Sequence, residues 1–151
     1  MLKTVIPPPV YALGTGGIMW WLDHSWPLLS WPESVLNTTG LVIIALALLA
    51  DVWSLGLFRR AGTSPNPMKP GAANKLVVRG LYCISRNPMY LGLLIVLFGW
   101  WLYLGSLSPL LMLPVFVQVL TVQQIVPEEK VLEEKFGAEY LAYKQQVRRW
   151  I

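Results

Sequence analysis

Gly80-Leu-Tyr82-Cys-Ile-Ser-Arg86-Asn87-Pro88-Met-Tyr90-Leu-Gly92 joins a basic, Pro/Gly-rich segment to a strongly apolar run. Asn87-Pro88 is a helix-start signal, a good N-cap residue followed by a proline where no N–H is needed. Arg86 stands immediately before that start. Free N–H groups at a helix N-terminus beside a fixed cation suit an anionic group. The run beyond, ending in Trp100-Trp101 and Tyr103, has the apolar centre and aromatic border of a membrane span.

Composition supports a membrane chain. The 151 residues suffice for one domain; 55% are hydrophobic and only 13% charged, against roughly 25% charged in soluble domains. Mean hydropathy is +0.52. Eight tryptophans and six tyrosines fit interfacial belts. A net charge of +4 would suit nucleic acid, but the placement of the charges argues for membrane orientation and no nucleic-acid partner. With one cysteine (Cys83) and one histidine (His24), neither a disulfide framework nor a zinc cluster can be built. Cys83 is read as structural rather than nucleophilic. Met1 to Pro9 makes a poor signal peptide and is taken as retained.

Working outward, the expected fold is an all-α integral membrane protein in a single domain, 1–151. It has about four transmembrane helices, near 10–31, 36–58, 88–104 and 109–126, plus a cytosolic C-terminal helical segment at 127–151. A cytosolic loop covers 59–87. Gly14, Gly16 and Gly17 in the first span suggest close packing against a neighbouring helix. Asp23 and His24 are expected at the interface or paired with each other. Trp31 to Val35 is a tight turn. Asp51 interrupts the cleanest span, where a carboxylate costs roughly 2.5–3.5 kcal/mol on insertion scales. It either faces a cavity or makes a structural hydrogen bond. Pro114 kinks the fourth span or occupies its first turn. In the tail, Leu132, Phe136, Tyr140, Tyr143 and Val147 form one apolar-aromatic stripe, with a break at Gly137. Such a stripe can also dock simply on the bilayer or on the spans.

All twelve lysines and arginines fall in Lys3, the 59–87 loop and the tail, and neither opposite turn carries one. The positive-inside rule then puts both termini and the central loop in the cytoplasm. Three groups of residues share that face. Arg86 and the Asn87-Pro88 helix start offer anion-binding groups. Glu128 and Glu129 offer carboxylates. Tyr82, Tyr90, Phe136, Tyr140 and Tyr143 offer aromatic faces for a ring or a cation. S-adenosylmethionine uses every one of these, and a nucleotide is also compatible.

The pattern Gly80-x-Tyr82-x-x-x-Arg86-Asn87-Pro88-Met89-Tyr90-x-Gly92, followed by Glu128-Glu129-x-x-Leu132-x-x-x-Phe136-Gly137-x-x-Tyr140-x-x-Tyr143, resembles the isoprenylcysteine carboxyl methyltransferase and phospholipid methyltransferase group of integral membrane enzymes, in a short bacterial form. The resemblance implies an enzyme in a multi-pass inner-membrane setting. S-adenosylmethionine would come from the cytosol and a lipophilic acceptor from the bilayer, with membrane lipids as surroundings. The acceptor class stays open among isoprenoid or prenylcysteine-like carboxylates, lipid amines and thiols. Carried onto matching positions, the cofactor would meet Tyr82, Arg86, Asn87, Pro88 and Tyr90 from one side. Glu128, Glu129, Tyr140, Tyr143 and Arg148 would meet it from the tail, with Arg86 and Glu129 as the catalytic pair. Asn87 stands where the family often has histidine, which removes a histidine base. An amine or hydroxyl acceptor would need proton removal by Glu129 or Asp51. A dinucleotide-binding membrane reductase and a non-enzymatic membrane scaffold are the alternative readings.

Overall fold

The structure, a computed structural model, describes residues 6–32, 35–62 and 76–151. Lys3, Lys69, Lys75, the Pro/Gly-rich centre of the loop and the middle of the turn at 31–35 lie outside the described residues. The described residues are helical and form no strand. The order is α1 (Pro8–Ser25), α2 (Val35–Ala61), a 3-10 turn at Gly80–Cys83 and α3 (Pro88–Leu104). A 3-10 turn at Ser108–Leu111 then leads into α4 (Met112–Leu120), a π-turn at Thr121–Ile125, α5 (Val126–Phe136) and α6 (Ala138–Gln146).

Local chemistry sets these ends. Pro8 opens α1 in the first turn, where a missing N–H costs nothing. The helix stops at Ser25, short of the end near Trp31 that the sequence suggests. Trp26 precedes Pro27, and the proline ring disfavours α conformation in the residue before it. Pro88 opens α3, and Gly105, at φ 97°, closes it in the left-handed conformation that glycine adopts freely. Pro114 lies in the first turn of α4. Gly137, at φ 51°, separates α5 from α6, as the sequence predicts.

Among the described residues, two helical runs are long and apolar enough to cross a membrane, Leu36–Leu57 in α2 and the continuous Ser108–Phe136. The 17-residue α3 is apolar but shorter than the roughly 20 residues of a perpendicular span.

The bundle has two distinct ends. At one, Gln124 Nε2 donates to the Ile6 carbonyl at 2.6 Å, and the 82–87 segment meets the tail. At the other, the chain after α1 runs beside the α3–α4 turn. Leu107 N–H donates to the Leu28 carbonyl at 2.7 Å, and Trp31 N–H donates to the Gly105 carbonyl at 2.8 Å. Ser108 Oγ caps this pairing, donating to Trp26 O and accepting from Leu28 N–H at 2.9 Å. Asp23 and His24 do not pair with each other. Asp23 Oδ1 accepts from Ser106 Oγ at 2.6 Å, and His24 stacks on Trp20.

The main core joins α1, α3 and α4 through Met19, Tyr90, Leu97, Phe116, Leu120 and Ile125. α2 instead docks antiparallel on α3 through a glycine seam. A Cβ on Gly40 would overlap the Gly99 carbonyl, and one on Gly99 would lie 2.7 Å from the Gly40 carbonyl oxygen. A Cβ on Gly92 would overlap the Asp51 carboxylate. The close packing expected of α1 therefore belongs to α2 and α3. A Cβ on Gly14 or Gly17 would meet nothing within 4 Å, and one on Gly16 would make ordinary contact. Without a hydrophobic force between helices in lipid, close backbone approach is what holds such a pair. We predict that Gly40→Ala, by overpacking, loses about 1–3 kcal/mol. Gly17→Ala should hold or gain up to about 1 kcal/mol through lower unfolded-state entropy. Thermal unfolding in detergent checks the pair, and equal melting of the two variants would refute the seam.

Candidate active site

The motif 85–87 and the tail 147–149 are stitched together by backbone and side chain. Arg86 N–H donates to the Arg148 carbonyl at 3.0 Å. Asn87 occupies the N-cap position of α3 but makes no side-chain cap; its Nδ2 donates to the Arg149 carbonyl at 3.0 Å. Ser85 Oγ accepts from Asn87 N–H at 3.0 Å and donates to the same Arg149 carbonyl at 3.4 Å. The amide of Asn87 thus ties down the chain terminus.

Glu129 lies at the centre, 6% exposed. Arg149 grips it in a fork, Nε to Oε1 at 3.0 Å and Nη2 to Oε2 at 2.7 Å. Arg86 Nη2 reaches Oε1 from the other side at 3.1 Å. The Arg86 side chain is only 9% exposed, and its Nε and Nη1 have no hydrogen-bond partner among the described residues. Buried polar groups are nearly always satisfied, so two unpaired donors on a cation mark a place for an acceptor. The hydrogen bonds to Glu129 also raise the pKa of Arg149.

The neighbouring Glu128 accepts from Tyr90 Oη through Oε1 at 2.5 Å. Tyr143 Oη donates to the Tyr82 carbonyl at 2.7 Å, fixing α6 against the 3-10 turn. Tyr140 packs beside Tyr143 at 6.3 Å between ring centroids. Burial, with a smaller push from nearby Glu129, raises the Tyr140 phenol to about 12, and burial also pushes the Tyr82 and Tyr143 phenols up. All three stay neutral at physiological pH. The stripe read from sequence is one cluster: Tyr140, Tyr143 and Val147 are buried, with Leu132, Phe136 and Leu76 packed on them. Pro88 is buried as the first residue of α3. Asp51, on α2, is half-buried against Gly92 and accepts no hydrogen bond among the described residues.

The family resemblance implies Arg148 as the tail arginine, but its side chain is exposed and only its carbonyl joins the site. Arg149 holds the glutamate instead. The helix ends at Gln146, and Val147 is extended at φ −125°, ψ 131°. Extended backbone alternates sides, so Val147 and Arg149 face in and Arg148 faces out. Ser85, Gln124 and Trp150 are further supports that the sequence leaves unmarked. Trp150 Nε1 donates to Thr121 Oγ1 at 3.1 Å.

The fold and site together define an all-helical protein with membrane-length helices and a buried arginine–glutamate centre at one end of the bundle. The phospholipid methyltransferase family profile matches residues 35–139. The chain belongs to that family. An uncharacterized protein from Haemophilus influenzae is 49% identical over 63 residues, all of that protein and 42% of this chain. No solved structure matches.

Arg148 and Arg149 give a direct test. Arg149→Gln should cost about 1–3 kcal/mol, discounted from a fully buried pair because Arg149 is partly exposed. Arg148→Gln should stay within about 0.5 kcal/mol. Thermal melts paired with protease accessibility of the tail measure both, and a larger loss from Arg148→Gln would reverse the assignment.

Proposed function

We propose that this chain is an S-adenosylmethionine-dependent membrane methyltransferase acting on a lipophilic acceptor at the cytosolic face. The reading rests on Arg86, a buried guanidinium whose Nε and Nη1 are unpaired among the described residues, held in place by Glu129. Membership of a methyltransferase family supports the reaction type. A dinucleotide reductase and a passive scaffold have no comparable support.

The residues present fit the cofactor. Nε and Nη1 of Arg86 suit its carboxylate. Glu128 has one oxygen taken by Tyr90 and the other available to an amino group. Tyr82, Tyr140 and Tyr143 supply aromatic surface for a purine or a cation. When bound, S-adenosylmethionine supplies a methyl group activated by its sulfonium. The chain's work is then alignment and exclusion of water. Glu129 carries three contacts from two arginines, so it acts chiefly by positioning Arg86. A carboxylate acceptor needs no base. For an amine or hydroxyl, Asp51 is the better proton acceptor, because no hydrogen bond among the described residues engages it.

We read α1 and α3 as spans as well, which gives four, with the site and both termini cytosolic. The confinement of all twelve lysines and arginines to one side of that arrangement supports it. An acceptor then enters from the bilayer beside α2 and α3.

Calorimetry with S-adenosylhomocysteine tests the site. Arg86→Ala and Glu129→Ala should each weaken binding at least about tenfold, or about 1.4 kcal/mol. Glu128→Gln should weaken it less, since it keeps an acceptor for Tyr90. Unchanged affinity in both alanine variants would sink the assignment.

A further inference from the structure

The other end of the bundle holds a cavity of about 390 Å³, lined by Trp20, Asp23, Trp31, Asn37, Trp100 and Tyr103. Its size is within the roughly 300–1,000 Å³ of small-molecule pockets. We propose that it binds an alkylated ammonium group.

Three observations carry this. The first is charge. Asp23 Oδ1 is held by Ser106 Oγ, while Oδ2 accepts no hydrogen bond among the described residues. No lysine or arginine occurs between Lys3 and Arg59 or between Arg86 and Lys130, and those two stretches build this end. No lysine or arginine in these stretches compensates the carboxylate. The second is the aromatic wall. Trp100 and Tyr103 stack with 14° between their planes, and Trp20 stacks on His24 at 6°, so the rings are fixed in place. Aromatic faces around a carboxylate attract an organic cation. The third is the state of the donors. Trp31 Nε1 donates to the Leu102 carbonyl, Trp100 Nε1 to the Gly16 carbonyl and Asn37 Nδ2 to the Tyr103 carbonyl. With these three N–H groups engaged by backbone, the lining offers π faces and an anionic oxygen beside the Trp20 indole and the Tyr103 hydroxyl. A primary ammonium seeks three acceptors. An alkylated one needs only charge and contact, which this lining provides. The group belongs either to a lipid headgroup in the adjoining leaflet or to a soluble cation.

The test is calorimetric titration of tetramethylammonium chloride into the full chain in a maltoside detergent, with sodium chloride at equal ionic strength as control. Saturable binding of tetramethylammonium alone is expected. Asp23→Asn keeps an acceptor for Ser106 Oγ, so the fold should hold, which a helical circular dichroism melt verifies; affinity should fall about tenfold. Trp20→Leu should weaken binding several-fold, and Trp20→Phe should restore most of it. In nanodiscs of phosphatidylglycerol the binding should persist. Its loss when phosphatidylcholine is added identifies a lipid headgroup as occupant, and its persistence identifies a soluble cation. Absence of saturable binding in the unmodified chain, or equal affinity in Asp23→Asn and Trp20→Leu, overturns the proposal.

Discussion

A glutamate held between two arginines governs this structure. Burying a lone carboxylate is expensive, and pairing it with one arginine recovers the cost only with good geometry. Glu129 has a two-pronged contact from Arg149 and a third contact from Arg86. The cluster carries one more positive than negative charge, and the surplus lies on the arginine with two N–H-bearing nitrogens unpaired among the described residues. Glu129 thus makes a buried Arg86 tolerable and leaves it hungry for an anion. The same carboxylate fixes the path of the terminal residues, because Arg149 must be extended beside the 85–87 segment to reach it.

That requirement spreads into the fold. Ser85 and Asn87 bind the carbonyl of Arg149, so the start of α3 and the end of the chain form one rigid wall. The Tyr143–Tyr82 bond adds α6 to it. The second constraint is the glycine seam. Because Gly40 and Gly99 let α2 and α3 touch through their backbones, Asp51 is carried onto Gly92, four residues beyond Pro88. The motif glycine therefore has a packing reason, since any side chain there would displace the α2 carboxylate.

Much of this was legible in the sequence, and the failures have physical causes. The helix start at Asn87-Pro88, the break at Gly137 and the Leu132–Val147 stripe follow from local rules that the tertiary structure does not override. The glycines of α1 misled because small residues signal close packing without naming a partner; the partner of a glycine is visible only when two helices are placed together. Reading Asn87 as a side-chain cap failed because its Nδ2 donates to a carbonyl 62 residues away, and the amide so held leaves Oδ1 off the helix N–H groups it would accept from. Arg148 was carried over from the family resemblance, and a matched position does not say which of two adjacent arginines turns inward; the extended backbone after Gln146 decides that.

The carboxylates raise the deepest version of this point. α4 does not pass into α5 as plain α-helix. Thr121–Ile125 is a π-turn, closed by Val126 N–H donating to the Thr121 carbonyl. A π-turn takes one more residue than the α spacing, and each residue of an α-helix rotates the chain about 100°. Without it, Glu128 and Glu129 would turn by about that angle away from Tyr90 and Arg86. The distortion is placed where it costs least. Pro127 follows it and has no N–H to give to the carbonyl one turn back, so the regular ladder would be interrupted there in any case. Thr121 holds the turn from both directions, donating Oγ1 to the Val117 carbonyl at 2.6 Å and accepting from Trp150 Nε1. The last tryptophan therefore braces the irregularity that aims both glutamates, and the tail serves the site twice, through Arg149 directly and through Trp150 by setting the register of the helix opposite.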